Sequence, residues 1–258
     1  MREPLEFMGW SVMRCIETLG RMTLFSVRIL RCFLVPPIRF AAFRGELYKL
    51  GVLSLIIICV SGFAVGMVLG VQGYHTLQRF GATSSLGALV GLSLVRELGP
   101  VLTGLLTAGR AGSATAAEIA TMVATEQMDG LRMMSADPVH VVVAPKALAM
   151  AVVMPLLSGL FILSGLFGGY LVGVGFMGGD VGVYVSSLQA SVDFSSDILG
   201  GILKASVFGI LVGLIATYRG FISAPNSAGV SSATTSTVVV SSVTILIFDY
   251  IITALWMA

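Results

Sequence analysis

Charged side chains are scarce in this sequence. Only 11% of its 258 residues are Asp, Glu, Lys or Arg, whereas 56% are hydrophobic. A soluble globular domain usually carries about 25% charged residues, and so few would leave large apolar patches on its surface. The composition therefore excludes a soluble enzyme and predicts an integral membrane protein.

Histidine and cysteine, which supply many metal sites and nucleophiles, are also scarce. The two histidines, His75 and His140, lie far apart in the sequence, and the three cysteines include no CxxC pair. Neither HExxH nor GxSxG occurs, and the segment 200–204 lacks the spacing of a phosphate-binding GxxxxGK[ST] loop. The sequence therefore predicts no metal site, no catalytic residue and no ATP hydrolysis by this chain.

Long uncharged runs, by contrast, are abundant. A helix needs about 20 apolar residues to cross the roughly 30 Å hydrocarbon core of a bilayer, and five segments meet this requirement. We predict an all-α integral membrane fold with five membrane-spanning helices. The predicted spans cover approximately residues 50–74, 86–106, 147–179, 198–218 and 238–257.

An amphipathic helix is predicted before the first span, over residues 5–34. Arg14, Glu17, Arg21 and Arg28 recur at helical spacing and fall within about 60° of one another, while the rest of the helix surface is apolar. A basic stripe on an apolar helix is typical of an element that lies in the membrane interface. Packing of the helix against a protein neighbour would give the same pattern, so both readings stay open.

The length suits one membrane domain, in which residues 1–45 form the interfacial helix and its linker and residues 46–258 form the five-span part. Eight of the 15 Lys and Arg residues lie before residue 50, and most others lie in the predicted loops 110–146 and 219–237. The 175–199 loop contains three Asp and no Lys or Arg. Because basic loops stay in the cytoplasm, we predict a cytoplasmic N-terminus and a C-terminus outside.

The adjacent residues Arg96 and Glu97 are the main charged feature inside a predicted span. Charges within the bilayer are costly and usually face a cavity or a partner. The pair either lines a substrate cavity or dimer seam, or it forms a structural ion pair with another helix or lies close to the membrane interface. Lys204 and Asp249 lie near the predicted ends of spans 4 and 5, where long side chains reach the interface, and we expect structural roles for both.

The charged stretch between spans 2 and 3 is a candidate docking surface. Glu118 and Glu126 are eight residues apart, a little over two helical turns, so we expect both on one helix face. A charged helical hairpin at this position could bind a soluble partner, but an ordinary solvated loop would have the same composition.

Several segments resemble one family, the MlaE-type permeases. The most specific are LVRELGPVLTGLLTAGRAGSATAAEIATM (94–122) and TEQMDGLRMMSADP (125–138), although Met128–Gly130 departs from the family pattern. The segments 52–74 and 227–239 are also similar to the first span and the last cytoplasmic loop of these permeases. Members are membrane subunits of bacterial ABC transporters that move phospholipids between the inner and outer membranes and so maintain outer-membrane lipid asymmetry.

The resemblance implies an assembly in the bacterial inner membrane. It implies a permease homodimer with a cytoplasmic ABC ATPase that binds ATP and Mg, so that this chain itself holds no cofactor. It also implies a periplasmic hexamer of MCE-domain lipid-binding subunits, a small STAS-domain protein on the ATPase, phospholipid as substrate and no nucleic acid. The stretch 112–137 is the expected coupling helix on the ATPase.

The resemblance also implies site residues. Phospholipid is expected in a cavity between the two permease copies, bordered by Arg96 and Glu97. The apolar wall of that cavity is expected to comprise Leu69, Tyr74, Leu77 and Phe80. The expected ATPase-coupling residues are Glu118, Glu126, Asp129, Arg132 and Asp137.

Two other classes of function are open on the residues alone. One is a membrane scaffold that anchors an ATPase and periplasmic lipid-binding subunits without transporting anything. The other is a secondary transporter or an intramembrane enzyme. The absence of His from the predicted spans argues against an enzyme, and one buried charge pair is little for ion coupling.

Overall fold

The computed structural model describes residues 13, 17, 20–31 and 40–257, and in these residues all regular structure is helical. Five continuous helical segments are long and apolar enough to cross a membrane. The all-α membrane fold with five spans is therefore confirmed. The spans are Ala42–Arg79, Thr83–Ala124, Val139–Phe176, Phe194–Phe221 and Ser227–Leu255.

Several of these spans are divided by short turns of a wider or tighter helix, so the regular α-helices number more than the spans. Residues 20–31 form α1. The other α-helices are α2 (Phe40–Gly51), α3 (Leu55–Arg79), α4 (Leu86–Ser93), α5 (Gly99–Thr107), α6 (Ser113–Ala124), α7 (Gln127–Met133), α8 (Ala144–Tyr170), α9 (Val181–Ser191), α10 (Leu199–Phe221) and α11 (Ser227–Met257).

The chain crosses back and forth, so the connections between spans alternate between two ends of the bundle. One end carries α7, between spans 2 and 3, and the connection between spans 4 and 5; we call it the α7 end. The other carries the short turn between spans 1 and 2 and the helix α9, between spans 3 and 4; we call it the α9 end.

Two segments expected as connections are largely helical. The expected loop 219–237 is wrong, because α10 continues to Phe221 and α11 begins at Ser227. The polar residues do not interrupt α11, since hydroxyls such as that of Thr237 donate to a carbonyl one turn earlier, that of Ala233, at 2.7 Å. Likewise span 2 continues to Ala124, well beyond the predicted limit of residue 106.

Glycine sets the contact between spans 1 and 3. Gly62 and Gly66 of α3 lie against the backbone of α8, where a Cβ atom on Gly66 would collide with the carbonyl oxygen of Gly165. Gly168 likewise faces the backbone of Phe63. Small residues let membrane helices approach backbone to backbone, and glycines on both helices allow this approach between spans 1 and 3.

The N-terminal helix is described only from residue 20 to 31, together with residues 13 and 17, so most of the predicted 5–34 helix lies outside the described residues. In α1, Ile29 is buried against the start of span 3. Phe25 stacks on Tyr218 and Phe221, with ring centroids 5.5 Å apart in both cases. This part of the apolar face therefore packs on the bundle at the α7 end, and its position in the membrane interface stays a prediction.

Candidate functional site

A small charged pocket lies inside the bundle, between spans 2, 4 and 5. Its volume is about 220 Å³. Asp197 is the fourth residue of span 4 and Thr253 lies two residues before the end of span 5, so the pocket lies in the part of the bundle nearer the α9 end. The charged pocket is lined by Arg96, Glu97, Ser196, Asp197, Gly200, Gly201, Lys204, Ile252 and Thr253.

Arg96 is paired with span 4. Its Nε donates to Oδ1 of Asp197 at 2.6 Å. Asp197 is 3% exposed, whereas the Arg96 side chain is 42% exposed. One edge of the guanidinium is therefore held by a buried carboxylate, and much of the remaining group is accessible from the pocket.

Lys204 is the centre of the second group of charges. Its ammonium donates to Oε2 of Glu97 and to Oγ1 of Thr253, each at 2.7 Å, and to the carbonyl oxygen of Arg96 at 3.1 Å. It also lies 3.3 Å from Oδ1 of Asp249. This one buried cation thus joins spans 2, 4 and 5, and the pocket region as a whole contains three carboxylates and two cations.

The backbone explains how two adjacent residues of span 2 both reach span 4. Successive side chains on a helix point about 100° apart, so Arg96 and Glu97 need two separate partners. Asp197 and Lys204 supply them, being seven residues apart and therefore close to one face of span 4. A π-helical turn at Leu94–Leu98 faces another at Phe194–Ile198, and such turns are frequent at functional sites.

Two residues of this cluster, Lys204 and Asp197, differ from their predicted placement. Lys204 does not reach the interface but is 5% exposed in mid-span. Asp249, six residues before the end of span 5, lies 3.3 Å from the ammonium of Lys204 and so has the expected structural role. Asp197 was assigned to the acidic loop, yet span 4 begins at Phe194 and takes this carboxylate into the bundle. A hydropathy profile contains no information about which distant charge compensates a buried one. The sequence therefore contains no signal that Asp197 and Lys204 are the partners of Arg96 and Glu97.

The four predicted apolar-wall residues do not line the charged pocket of the single chain. Leu69, Tyr74 and Leu77 are half-buried and pack on the main hydrophobic core. Tyr74 also borders a separate cavity of about 360 Å³ at the α9 end. Phe80 follows α3 and is 79% exposed. A lipid-binding role for these four residues therefore stays a prediction.

The predicted coupling residues are distributed over two helices and two turns at the α7 end. The expectation that Glu118 and Glu126 share one helix face is wrong, because α6 ends at Ala124 and Glu126 has a left-handed φ of 58°. Asp129 and Arg132 form an exposed ion pair of 2.7 Å on α7. The role of these residues in ATPase binding stays a prediction.

Glu118 belongs to an internal ion cluster. The ammonium of Lys146, in span 3, is 4% exposed and donates to Oε2 of Glu118 at 2.7 Å and to Oε1 of Glu46 at 2.9 Å. Lys49 lies within 3.8 Å of both carboxylates. The cluster fixes α2 and α6 to the start of span 3.

Asp137 also has a partner within the chain, because both its carboxylate oxygens accept from Nη2 of Arg28, at 3.0 and 3.1 Å. This pair ties α1 to the end of the α7 connection. Two residues that the sequence analysis did not single out, Met133 and Met134, project from the same tip and are 84% and 77% exposed. Adaptable, unbranched Met side chains are frequent on protein-binding surfaces.

The described residues contain no cluster of His, Cys, Asp and Glu suited to a metal ion. The charged pocket is suited to binding a polar group among otherwise apolar helices. The accessible part of Arg96 suits a phosphate, and Glu97, whose side chain is 38% exposed, suits a cationic group.

Comparisons with known proteins agree on one family. Residues 43–255 match the family described as Permease MlaE. The chain is 52% identical over 210 residues to the intermembrane phospholipid transport system permease protein MlaE of Haemophilus influenzae, which covers 81% of this chain and 80% of that protein.

Two more distant relatives also match most of this chain. A probable ABC transporter permease protein of Rickettsia bellii is 40% identical over 248 residues, 96% of this chain and 95% of the relative. The chloroplastic protein TRIGALACTOSYLDIACYLGLYCEROL 1 of Arabidopsis thaliana is 32% identical over 209 residues, 81% of this chain and 59% of the relative.

Proposed function

Since this chain belongs to the MlaE permease family, we propose that it is the permease subunit of an ABC transporter that moves phospholipids between the bacterial inner and outer membranes. This function would maintain the lipid asymmetry of the outer membrane. The charged pocket supports the proposal on the structural side, because it offers accessible charge between three otherwise apolar spans.

The lipid-binding site is proposed to lie where two copies of the permease meet. A phospholipid needs an apolar slot for its chains and a few polar groups for its headgroup. Arg96 would bind the phosphate, and Glu97 would be held in place by Lys204. Leu69, Tyr74, Leu77 and Phe80 would provide the apolar wall, with the second copy completing the cavity above the charged pocket.

ATP hydrolysis belongs, in this proposal, to a separate subunit. An ABC transporter permease works with an ATPase, and the family is one of permeases, not of catalytic proteins. The ATPase would bind ATP and Mg and dock at the α7 end, on Glu126, Asp129, Arg132 and the exposed Met133 and Met134. Glu118 and Asp137 would act indirectly, by holding α6 and the end of the connection in position.

The remaining parts of the assembly follow from this placement. The α7 end would face the cytoplasm, together with the N-terminus, and the α9 end and the C-terminus would face the periplasm. A small STAS-domain protein would bind the ATPase. A hexamer of MCE-domain lipid-binding subunits would sit over the permease dimer at the α9 end, and the whole assembly would reside in the inner membrane.

The test is to purify the permease with its co-expressed partners in mild detergent and quantify the bound phospholipid by mass spectrometry. We expect stoichiometric phospholipid in the wild type, and strongly reduced phospholipid in Arg96→Ala and Leu77→Trp, because these remove the phosphate contact and obstruct the apolar wall.

The matched control for Leu77→Trp is Ile56→Trp, at a position of span 1 that is 78% exposed. This variant should retain its lipid. Equal lipid in all variants, with the partner subunits still attached, would contradict a lipid cavity built from these residues. That outcome would favour instead a scaffold that anchors the ATPase and the lipid-binding subunits without transporting lipid.

A further inference from the structure

A cavity larger than the charged pocket lies outside it. It is a groove of about 870 Å³ between spans 2, 3 and 4, closed at one end by α9. Its walls are apolar except for Ser158 and Gln189. Neither the lipid cavity between two copies nor the coupling surface includes this groove. We refer to it as the lateral groove.

The lateral groove opens away from the bundle. Leu156 and Leu163 on its span 3 side are both 65% exposed, and Ile202 on its span 4 side is 46% exposed. All three lie within membrane-spanning segments. The groove therefore opens toward the depth at which the bilayer provides hydrocarbon chains, and water is a poor occupant for such an apolar recess.

The dimensions of the lateral groove fit one lipid chain. Its span 3 wall runs from Pro155 to Leu166, which is about 17 Å at a rise of 1.5 Å per residue. Half of the roughly 30 Å hydrocarbon core, the depth available to the chains of one leaflet, is about 15 Å. The Leu188, Gln189 and Val192 side chains of α9 lie at the outer end, where the amide of Gln189 could meet a lipid ester or headgroup.

The lateral groove adjoins the charged pocket. Gly201 lines both. A Cβ atom on Gly201 would lie only 2.6 Å from the carbonyl oxygen of Val95, so spans 2 and 4 touch through backbone at this point. Gly201 has no side chain that could separate the charged pocket from the lateral groove. One turn earlier in span 4, Asp197 lines the charged pocket and its neighbour Ile198 lines the groove.

We propose that the lateral groove is a second phospholipid site, which holds one acyl chain of a bilayer lipid against the outside of spans 2, 3 and 4. An empty apolar groove would forfeit the dispersion contacts of its walls, and a chain of matching length restores them. The site places a bilayer lipid beside the charged pocket before any transport step. It does not rest on the proposed transport function, because it needs only this chain in a bilayer.

Gly159 provides the variant that fills the groove. It lines the groove, and a Cβ atom built on it meets nothing within 4 Å. Gly159→Leu should therefore occupy the groove without disturbing the helix contacts. Gly175 in the same span also has open space around its Cβ position but does not line the groove, so Gly175→Leu is the matched control.

The experiment uses the full chain in vesicles of phosphatidylethanolamine and phosphatidylglycerol. A trace of phosphatidylethanolamine with a diazirine in one acyl chain is photoactivated, and the labelled residues are mapped by mass spectrometry. We expect labelling of Leu163, Leu188 and Val192 to exceed that of Ile56, which is simply exposed on span 1. Gly159→Leu should remove this excess, and Gly175→Leu should leave it intact.

Two outcomes would overturn the proposal. Labelling of the lateral groove at the same level as Ile56 would mean that only the ordinary lipid annulus is present. Disulfide cross-links between two copies carrying Leu163→Cys, together with absent lipid labelling, would mean that a second copy of the chain covers the groove. Neither result depends on ATP hydrolysis. Failure of the lateral-groove proposal would therefore not bear on the transport proposal, which is tested separately by the bound phospholipid.

Discussion

At the scale of single residues, Lys204 is the side chain that links the three spans around the charged pocket. It is nearly inaccessible and bonds Glu97, Thr253 and the backbone of Arg96. Burying an ammonium in the bilayer is tolerated only with such partners. The charges of the pocket thus stabilise one another across three spans, and the removal of Lys204 leaves Glu97 and Asp249 without their cation.

We predict that Lys204→Met destabilises the protein by about 3 kcal/mol, toward the low end for a broken buried pair because Glu97 is partly exposed. The measurement is the thermal unfolding midpoint of the purified protein in detergent. The double variant Lys204→Met, Glu97→Gln should recover part of the loss, since one uncompensated carboxylate is removed as well. A double variant less stable than Lys204→Met alone would contradict the pairing.

Tyr184 of α9 gives a prediction for high pH. Its ring is buried against Tyr170, with centroids 5.8 Å apart, and burial raises the pKa of its phenol to about 12. The unfolded chain has an ordinary pKa near 10, so it releases this proton earlier than the folded protein. The contribution to stability is therefore complete below pH 10 and is lost as the pH rises through 12.

The check is to compare the wild type with Tyr184→Phe, whose difference isolates this residue from other tyrosines and lysines. Within residues 40–257 the hydroxyl of Tyr184 has no hydrogen-bond partner, so the variant should fold normally at pH 8. Its unfolding midpoint should then fall less steeply than that of the wild type between pH 10 and 12. Parallel curves for the two proteins would contradict the prediction.

At the scale of the helical elements, some helices are joined by close backbone contact at glycines and others by ion pairs. The α3 and α8 helices touch through glycine and backbone, whereas α2, α6 and span 3 are joined by the cluster around Lys146. Lys146 is buried, unlike the exposed pair of Arg28 with Asp137. Exposed pairs contribute little to stability, so the internal cluster is the stronger link at the α7 end.

We predict that Gly66→Ala is destabilising by about 1–3 kcal/mol, the usual cost of overpacking, because even one methyl group collides with the backbone of Gly165. Gly109→Ala is the control, since its Cβ position is open and alanine favours helix by about 1 kcal/mol. The unfolding midpoint should fall for the first variant and hold or rise for the second. Equal unfolding midpoints for the two variants would show that the contact between α3 and α8 is looser than described.

At the scale of the whole molecule, the two ends of the bundle are chemically different. The α7 end presents a short charged helix with two exposed methionines, and the α9 end presents a helix that packs on the ends of spans 2 and 3. In the proposed assembly this asymmetry corresponds to two different partners, the ATPase at the α7 end and the lipid-binding subunits at the α9 end.

We predict that Met133→Asp combined with Met134→Asp strongly reduces the amount of ATPase that co-purifies with the permease, because both changes place charge on the proposed apolar contact. Val181→Asp, at an exposed position of the α9 end, should leave the ATPase attached. The ratio of ATPase to permease in the purified complex is the measurement. Undiminished ATPase in the methionine variant would move the contact away from the tip of α7.

The sequence by itself determined the class of the fold and the family. Uncharged runs of this length can satisfy their backbone only as membrane helices, so five spans could be counted without a structure. The segments 94–122 and 125–138 were specific enough to indicate the family, and Arg96 and Glu97 were identified because charges within an apolar run are costly.

Only the tertiary structure decided which residues compensate those charges and where the charged pocket and the lateral groove lie. Lys204, Asp249 and Asp197 are far from Arg96 and Glu97 in the sequence, and pairing across spans depends on how the helices pack. For the same reason the lateral groove had no sequence signal, because its walls come from four separate helices. Hydropathy is a property of each segment alone, whereas an ion pair or a groove exists only between segments.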